Sequence, residues 1–236
     1  MSSDYNTPRL NFFGLLNFSF LLFFVTDNKT PHPVRVHPMT AKHFLAAFLG
    51  ALAMFFASFV FHMFTPLGEA GITPMPGPEP VMGAMASALG DKSGMYMFPT
   101  GGYSPDLPRE QHAAAMDKML EEMKTNPSGL LIYHPAGRVF NFGKTLGVQF
   151  GLDFLKTLLV IYLLTQSSVA SFGGRTMFVT IAGVLAAIAT TPSLWIWYGF
   201  AGSYAGANVV MMTLEFLVAG IVIALILKNT PANQRA

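Results

Sequence analysis

Residues 208–227 read NVVMMTLEFLVAGIVIALIL, an unbroken apolar run holding a single charge, Glu215. At about 1.5 Å of rise per residue, some twenty helical residues cover the roughly 30 Å hydrocarbon core of a bilayer. The run therefore predicts a transmembrane helix. Three others qualify: residues 44–64 (FLAAFLGALAMFFASFVFHMF), residues 145–165 (TLGVQFGLDFLKTLLVIYLLT), and residues 176–194, which open with TMFVTIAGVLAAIATT and continue past Pro192. Charged residues make up 11% of the chain and hydrophobic ones 52%, with a mean hydropathy of +0.47. A soluble domain would carry roughly a quarter charged residues. The expected fold class is an all-α membrane protein, a four-helix transmembrane bundle.

The distribution of Lys and Arg predicts its orientation. Arg9, Lys29, Arg35 and Lys42 precede the first run, Arg175 sits in the short loop 166–175, and Lys228 and Arg235 follow the last run. The long segment 65–144 instead holds Lys92, Arg109, Lys118, Lys124, Arg138 and Lys144 against eight acidic residues. Positive flanks stay cytoplasmic, so both tails, 1–43 and 228–236, are expected inside. The long segment and the aromatic loop 195–207 are expected outside the cytoplasm, and the membrane is expected to be a bacterial inner membrane.

Upstream, residues 11–25 (NFFGLLNFSFLLFFV) are short for a span, are interrupted by Asn17 and Ser19, and lack a small-residue cleavage site after them. Translation beginning at Met39 and an interfacial helix are the two leading readings of residues 1–38, with a cleaved signal behind them.

The segment between the first two spans is expected to form a small α+β cap. Residues 71–83 (GITPMPGPEPVMG) read as a linker leading into a short helix at 81–89, and residues 94–99 and 129–135 as strands bounded by Gly and Pro. A helix over 108–124 would lie between the strands. Its Met116, Met119, Leu120 and Met123 share one face at i, i+3, i+4 and i+7, and are expected to pack against the strands. About 65 residues make a marginal domain alone, so the cap is expected to rest on the bundle.

The candidate site lies where charge enters apolar sequence. Asp153 and Lys156 in the second span and Glu215 in the fourth fall at similar depth if both helices enter from the cap side. An ionised group in hydrocarbon is costly unless paired or wet, and usually faces a bundle interior. A cross-helix Lys156–Glu215 pair is sterically allowed, and Asp153, at i, i+3, can share the ammonium. Gln149, Thr213 and His62 complete the predicted polar cluster. Two carboxylates beside one lysine suit a proton or cation relay; the plainer reading is a buried pair that fixes helix register.

Other patterns have plainer explanations. Trp195, Trp197, Tyr198 and Phe200 read as an interfacial aromatic belt. Ala46/Gly50, Ala47/Ala51, Ala53/Ala57, Ala182/Ala186 and Gly183/Ala187 are small pairs at i, i+4 that let helices approach closely. Nine of 15 Met fall between positions 63 and 123, with His62, His112 and His134 nearby. Thioether ligation of copper is one reading of them, and core packing the other. No Cys is present, which excludes disulfides and thiolate sites. The formal net charge of +2 gives no nucleic-acid footprint, and no nucleotide or hydrolase motif appears. No cofactor and no resident metal are expected.

The order of elements, with a G-x-Y-x-x-P stretch (Gly94, Tyr96, Pro99) and W-x-W-Y-G-F (Trp195, Trp197, Tyr198, Gly199, Phe200), resembles an uncharacterised group of small four-span bacterial membrane proteins. The resemblance covers about residues 40–228 and carries over no functional residue. The expected role is that of a non-enzymatic accessory, structural or sensing subunit, with the bilayer and other membrane subunits as partners. The rivals are a small proton- or cation-coupled carrier built on Asp153, Lys156 and Glu215, and a copper-handling protein.

Overall fold

The structure is a computed structural model, and it describes residues 38–230. In chain order it contains α1 (Ala41–Phe64), α2 (Pro78–Leu89), β1 (Gly94–Phe98), one 3-10 turn (Arg109–Gln111), α3 (His112–Glu122), β2 (Gly129–Tyr133), α4 (Phe142–Thr165), α5 (Phe172–Tyr198) and α6 (Gly202–Leu227). The fold is mostly helical, with one two-stranded sheet. Four helices, α1, α4, α5 and α6, are long and apolar enough to cross a membrane, which fits a multi-pass membrane protein. The readings of residues 1–37 fall outside the described residues.

Local chemistry sets the helix ends slightly wider than the apolar runs. The His43 ring reaches back, and its Nδ1 accepts the Thr40 backbone N–H at 3.0 Å, relieving one orphan donor at the start of α1. Asn141 Oδ1 accepts Lys144 N–H at 2.9 Å and starts α4 three residues earlier than hydropathy alone suggests. Ser171 does the same for α5 through Gly174 N–H at 3.1 Å. Such caps contribute about 1 kcal/mol each.

One boundary differs more. The expected aromatic loop 195–207 shrinks to residues 199–201, because α5 runs through Pro192 and carries Trp195, Trp197 and Tyr198 on its last turns. Proline forfeits one helical hydrogen bond, a loss that transmembrane helices tolerate. The helix ends instead at Gly199, whose φ of 72° is left-handed and suits a glycine C-terminal cap.

Packing places α6 between α1 and α5, with α4 on the far side of α1; α4 and α5 touch only slightly. Ala46, Ala47 and Met54 of α1 meet Val160, Ile161 and Leu164 of α4 and Phe216, Ala219 and Ile223 of α6 in one buried core. Small residues make this possible. A Cβ on Gly50 would lie 2.9 Å from Ile223 Cγ1, and one on Gly183 would collide with the Phe216 side chain. The outward faces keep large apolar residues exposed, such as Phe48, Leu159, Leu185 and Leu225. Uncovered apolar faces all around a bundle are what lipid solvation demands.

The segment between α1 and α4 differs from the compact cap expected. Strands β1 and β2 pair antiparallel, Gly94 opposite Tyr133 and Phe98 opposite Gly129, but beyond slight contact they pack on no other element. Helix α3 does not lay its methionines on them. Met116, Leu120 and Met123 are exposed, and the buried residue of α3 is Ala115. The Gly101–Gly102 turn after β1 instead lies against α3 at Ala115 and Met119, beside the stripe. Gly101, at φ 59°, leaves no room for a Cβ beside the Ala115 carbonyl and Met119 backbone, and its N–H is accepted by Glu122 Oε2 at 3.2 Å. The sheet face holding Met95, Met97 and Ile132 is likewise exposed.

Candidate functional site

Thr157 fixes the level of α4 against α1. Its hydroxyl lies 2.8 Å from the Ala47 carbonyl of α1 and packs beside Gly50, which also meets Ile223 of α6. From this common level the other positions follow. Asp153 lies one turn, about 6 Å, towards the cap end of the bundle, and Gln149 and Glu215 about 12 Å. Ser58 of α1, eight residues beyond Gly50, reaches the height of Glu215.

The side chains fill in that frame. Asp153 is only 1% exposed, and its Oδ1 accepts Lys156 Nζ at 2.6 Å and Gln149 Nε2 at 3.0 Å. Asp153 Oδ2 is fully buried and has no hydrogen-bond partner among the described residues. Lys156 keeps a third of its side chain exposed. Glu215 is buried on α6; Ser58 of α1 lies near its carboxylate, and Lys156, Asp153 and His62 lie within electrostatic reach. No cation among the described residues comes within 4.0 Å of it.

The cluster is thus assembled differently from the cross-helix pair that the sequence allows. Lys156 pairs within its own helix, one turn from Asp153, and Glu215 stands beside that pair. Gln149 joins as a donor to Asp153. Thr213 does not join: its hydroxyl donates to the Val209 carbonyl of its own helix at 2.7 Å. His62 is exposed, and its Nδ1 sits 2.9 Å from the Ser58 carbonyl, one turn beyond Glu215 towards the cap end.

The aromatic group divides in two. Trp195 and Trp197 point outward, 53% and 80% exposed. Tyr198 and Phe200 line a cleft of about 590 Å³ with Tyr204, Ile72 and Leu130, where the linker after α1 passes the ends of α5 and α6. Phe200 and Tyr204 stack at a tilt with ring centres 5.6 Å apart.

Two residues with larger structural roles than the sequence indicated are Arg175 and His43. Arg175 is 3% exposed, and its guanidinium donates to the carbonyls of Val169 at 3.2 Å, of Thr230 at 2.5 Å, and of Leu227. It ties the start of α5 to the end of α6, where helix carbonyls are left without partners and a cation is favoured. The sequence signal was present, one arginine at a span terminus, but it read only as a marker of orientation.

Among the described residues no three His, Asp or Glu side chains converge as a metal site. What the arrangement offers chemically is two carboxylates and one ammonium, held by two helices, α4 and α6, with Ser58 of α1 and Gln149 and Thr157 of α4 as polar neighbours. Compared with protein-family models, curated protein sequences and solved structures, the chain matches none. Its function has to be argued from its own residues.

Proposed function

We propose that this protein is a small proton- or cation-coupled carrier of a bacterial inner membrane, working through Asp153, Lys156 and Glu215. One observation carries the reading: Asp153 is almost wholly buried yet leaves Oδ2 without a partner. A pair that served only to fix register would be expected to satisfy both oxygens, since a buried unmet acceptor costs about 1–3 kcal/mol. Groups of this kind inside apolar helices mark ion and proton pathways. Lys156 supplies a tethered counter-charge, and Glu215 a second carboxylate on another helix. No catalytic step is assigned to the cluster. Both tails would be cytoplasmic and the 65–141 segment external, as the Lys and Arg distribution favours. The test is flux through the purified protein in dye-loaded vesicles: Glu215→Gln or Lys156→Ala should abolish it while the protein still inserts. If neither changes any flux, the carrier reading is lost.

An accessory-subunit role is the second reading. It is favoured by the exposed apolar surface of Met95, Met97 and Ile132, and by that of Met116, Leu120 and Met123, which a membrane partner would cover. Stoichiometric co-purification of another subunit from native membranes would support it; recovery of the chain alone would count against it.

A further inference from the structure

The charges inside the spans do not balance. Away from the helix ends, α4 carries Asp153 and Lys156, α6 carries Glu215, and α1 carries His62 near its cap end. Residues 176–197 of α5 bring no titratable group to this level. With all three central groups ionised, two carboxylates face one ammonium, leaving a charge of −1 in a region where charge is expensive. The missing positive charge has a place to go. Lys156 and Gln149 occupy Asp153 Oδ1, while Oδ2 is buried and unpartnered. Glu215 has Ser58 nearby but no cation within 4.0 Å among the described residues.

The chemistry of the site selects among cations. A divalent or alkali ion asks for several oxygens, about six for calcium or magnesium. Here the oxygens of Asp153, Gln149, Ser58 and Glu215 are spread over about two levels one turn apart, and no three-residue metal cluster forms among the described residues. A proton needs one oxygen. The polar line also has a direction: exposed His62 lies one turn beyond Ser58 towards the cap end, with its Nδ1 on the Ser58 carbonyl, and Ser58 stands near Glu215. Asp153 lies one turn deeper.

We infer that the cluster binds one proton per chain, on Glu215 or on Asp153 Oδ2, and loads it from the cap end, where exposed His62 is the titratable group on the way in. The balance is simple. One proton from bulk water converts one carboxylate to a carboxylic acid, and the charge of the cluster goes from −1 to zero while Lys156 stays on Asp153 Oδ1. The inference rests on the carrier reading for its purpose but not for its chemistry.

The test is infrared difference spectroscopy of the full chain in lipid, stepping pH and following the carbonyl stretch of a protonated carboxyl group. The expected result is one band, with a proton uptake that a pH-indicator dye reports as one per chain more than in Glu215→Gln or Asp153→Asn. Sodium and potassium should leave it unmoved, and His62→Ala should slow loading at unchanged stoichiometry. Absence of the band, or its displacement by sodium or potassium, overturns the proton site; an unchanged rate in His62→Ala overturns the route. Proton uptake without vesicle flux would sink the carrier reading alone, and cation flux without uptake would sink this inference alone.

Discussion

Asp153 holds Lys156 through one carboxylate oxygen, Oδ1 at 2.6 Å, and leaves the other, Oδ2, buried and unpartnered. The two residues sit on one face of α4, yet their surroundings differ, since Asp153 is enclosed and Lys156 is a third exposed. The pair is therefore asymmetric, and its two members should respond differently to substitution.

Lys156→Met strands a buried carboxylate and should destabilise the protein by about 2–4 kcal/mol, near the lower part of the range for a broken buried pair because Lys156 is partly exposed. Asp153→Leu combined with Lys156→Met should recover most of that loss, because a well-packed apolar pair is often as stable as a buried ionic one. Unfolding in mixed micelles measures both. A single Lys156→Met with wild-type stability would show that the ammonium contributes nothing at this position.

Gly183 of α5 meets the Phe216 side chain of α6 in the contact between these two helices. Gly183→Leu should separate these helices and prevent a stable monodisperse protein, and Gly183→Ala should lower stability by about 1–3 kcal/mol, as overpacking does. Adding Phe216→Gly, which removes the Cβ that the new methyl would meet first, should partly restore the Gly183→Ala variant. Size-exclusion profiles and thermal unfolding in detergent read these outcomes, and a Gly183→Leu chain that behaves like wild type would contradict the close approach.

Arg175 serves three backbone carbonyls at the end opposite the cap. Arg175→Gln should cost about 2–3 kcal/mol, the worth of charged hydrogen bonds lost from a buried site. Arg175→Lys should restore only part, since a point ammonium cannot span three acceptors as a planar fork does. The same unfolding assay checks the order wild type, Lys, Gln.

The chain contains no Cys, so each introduced one reports a single place. With Met95→Cys, an impermeant thiol reagent should label intact cells; with Lys228→Cys, labelling should need permeabilised ones. The reverse pattern would invert the orientation inferred from Lys and Arg.

Much of this architecture was legible in the sequence because lipid leaves a crude mark. Runs such as 208–227 show as hydropathy alone, and the charges at 153, 156 and 215 stood out against them. Their pairing was less legible. Depth along a helix follows from counting, but whether Lys156 turns to Asp153 or Glu215 depends on rotation about each axis, which Thr157, Gly50 and Ile223 set through packing. The α3 stripe misled for a related reason: its i, i+3, i+4, i+7 spacing identified a helical face without saying what would cover it, and a glycine turn packed beside that face at Ala115 and Met119. The span expected over 176–194 runs on to Tyr198, because the one hydrogen bond lost at Pro192 is too small a penalty to stop the helix before Gly199.

The most direct measurement is proton and alkali-cation flux into vesicles carrying the purified wild-type chain or Asp153→Asn, with equal insertion verified for both. The account predicts flux with the first and none with the second. Equal flux from both, or none above protein-free vesicles from the wild type, would contradict it.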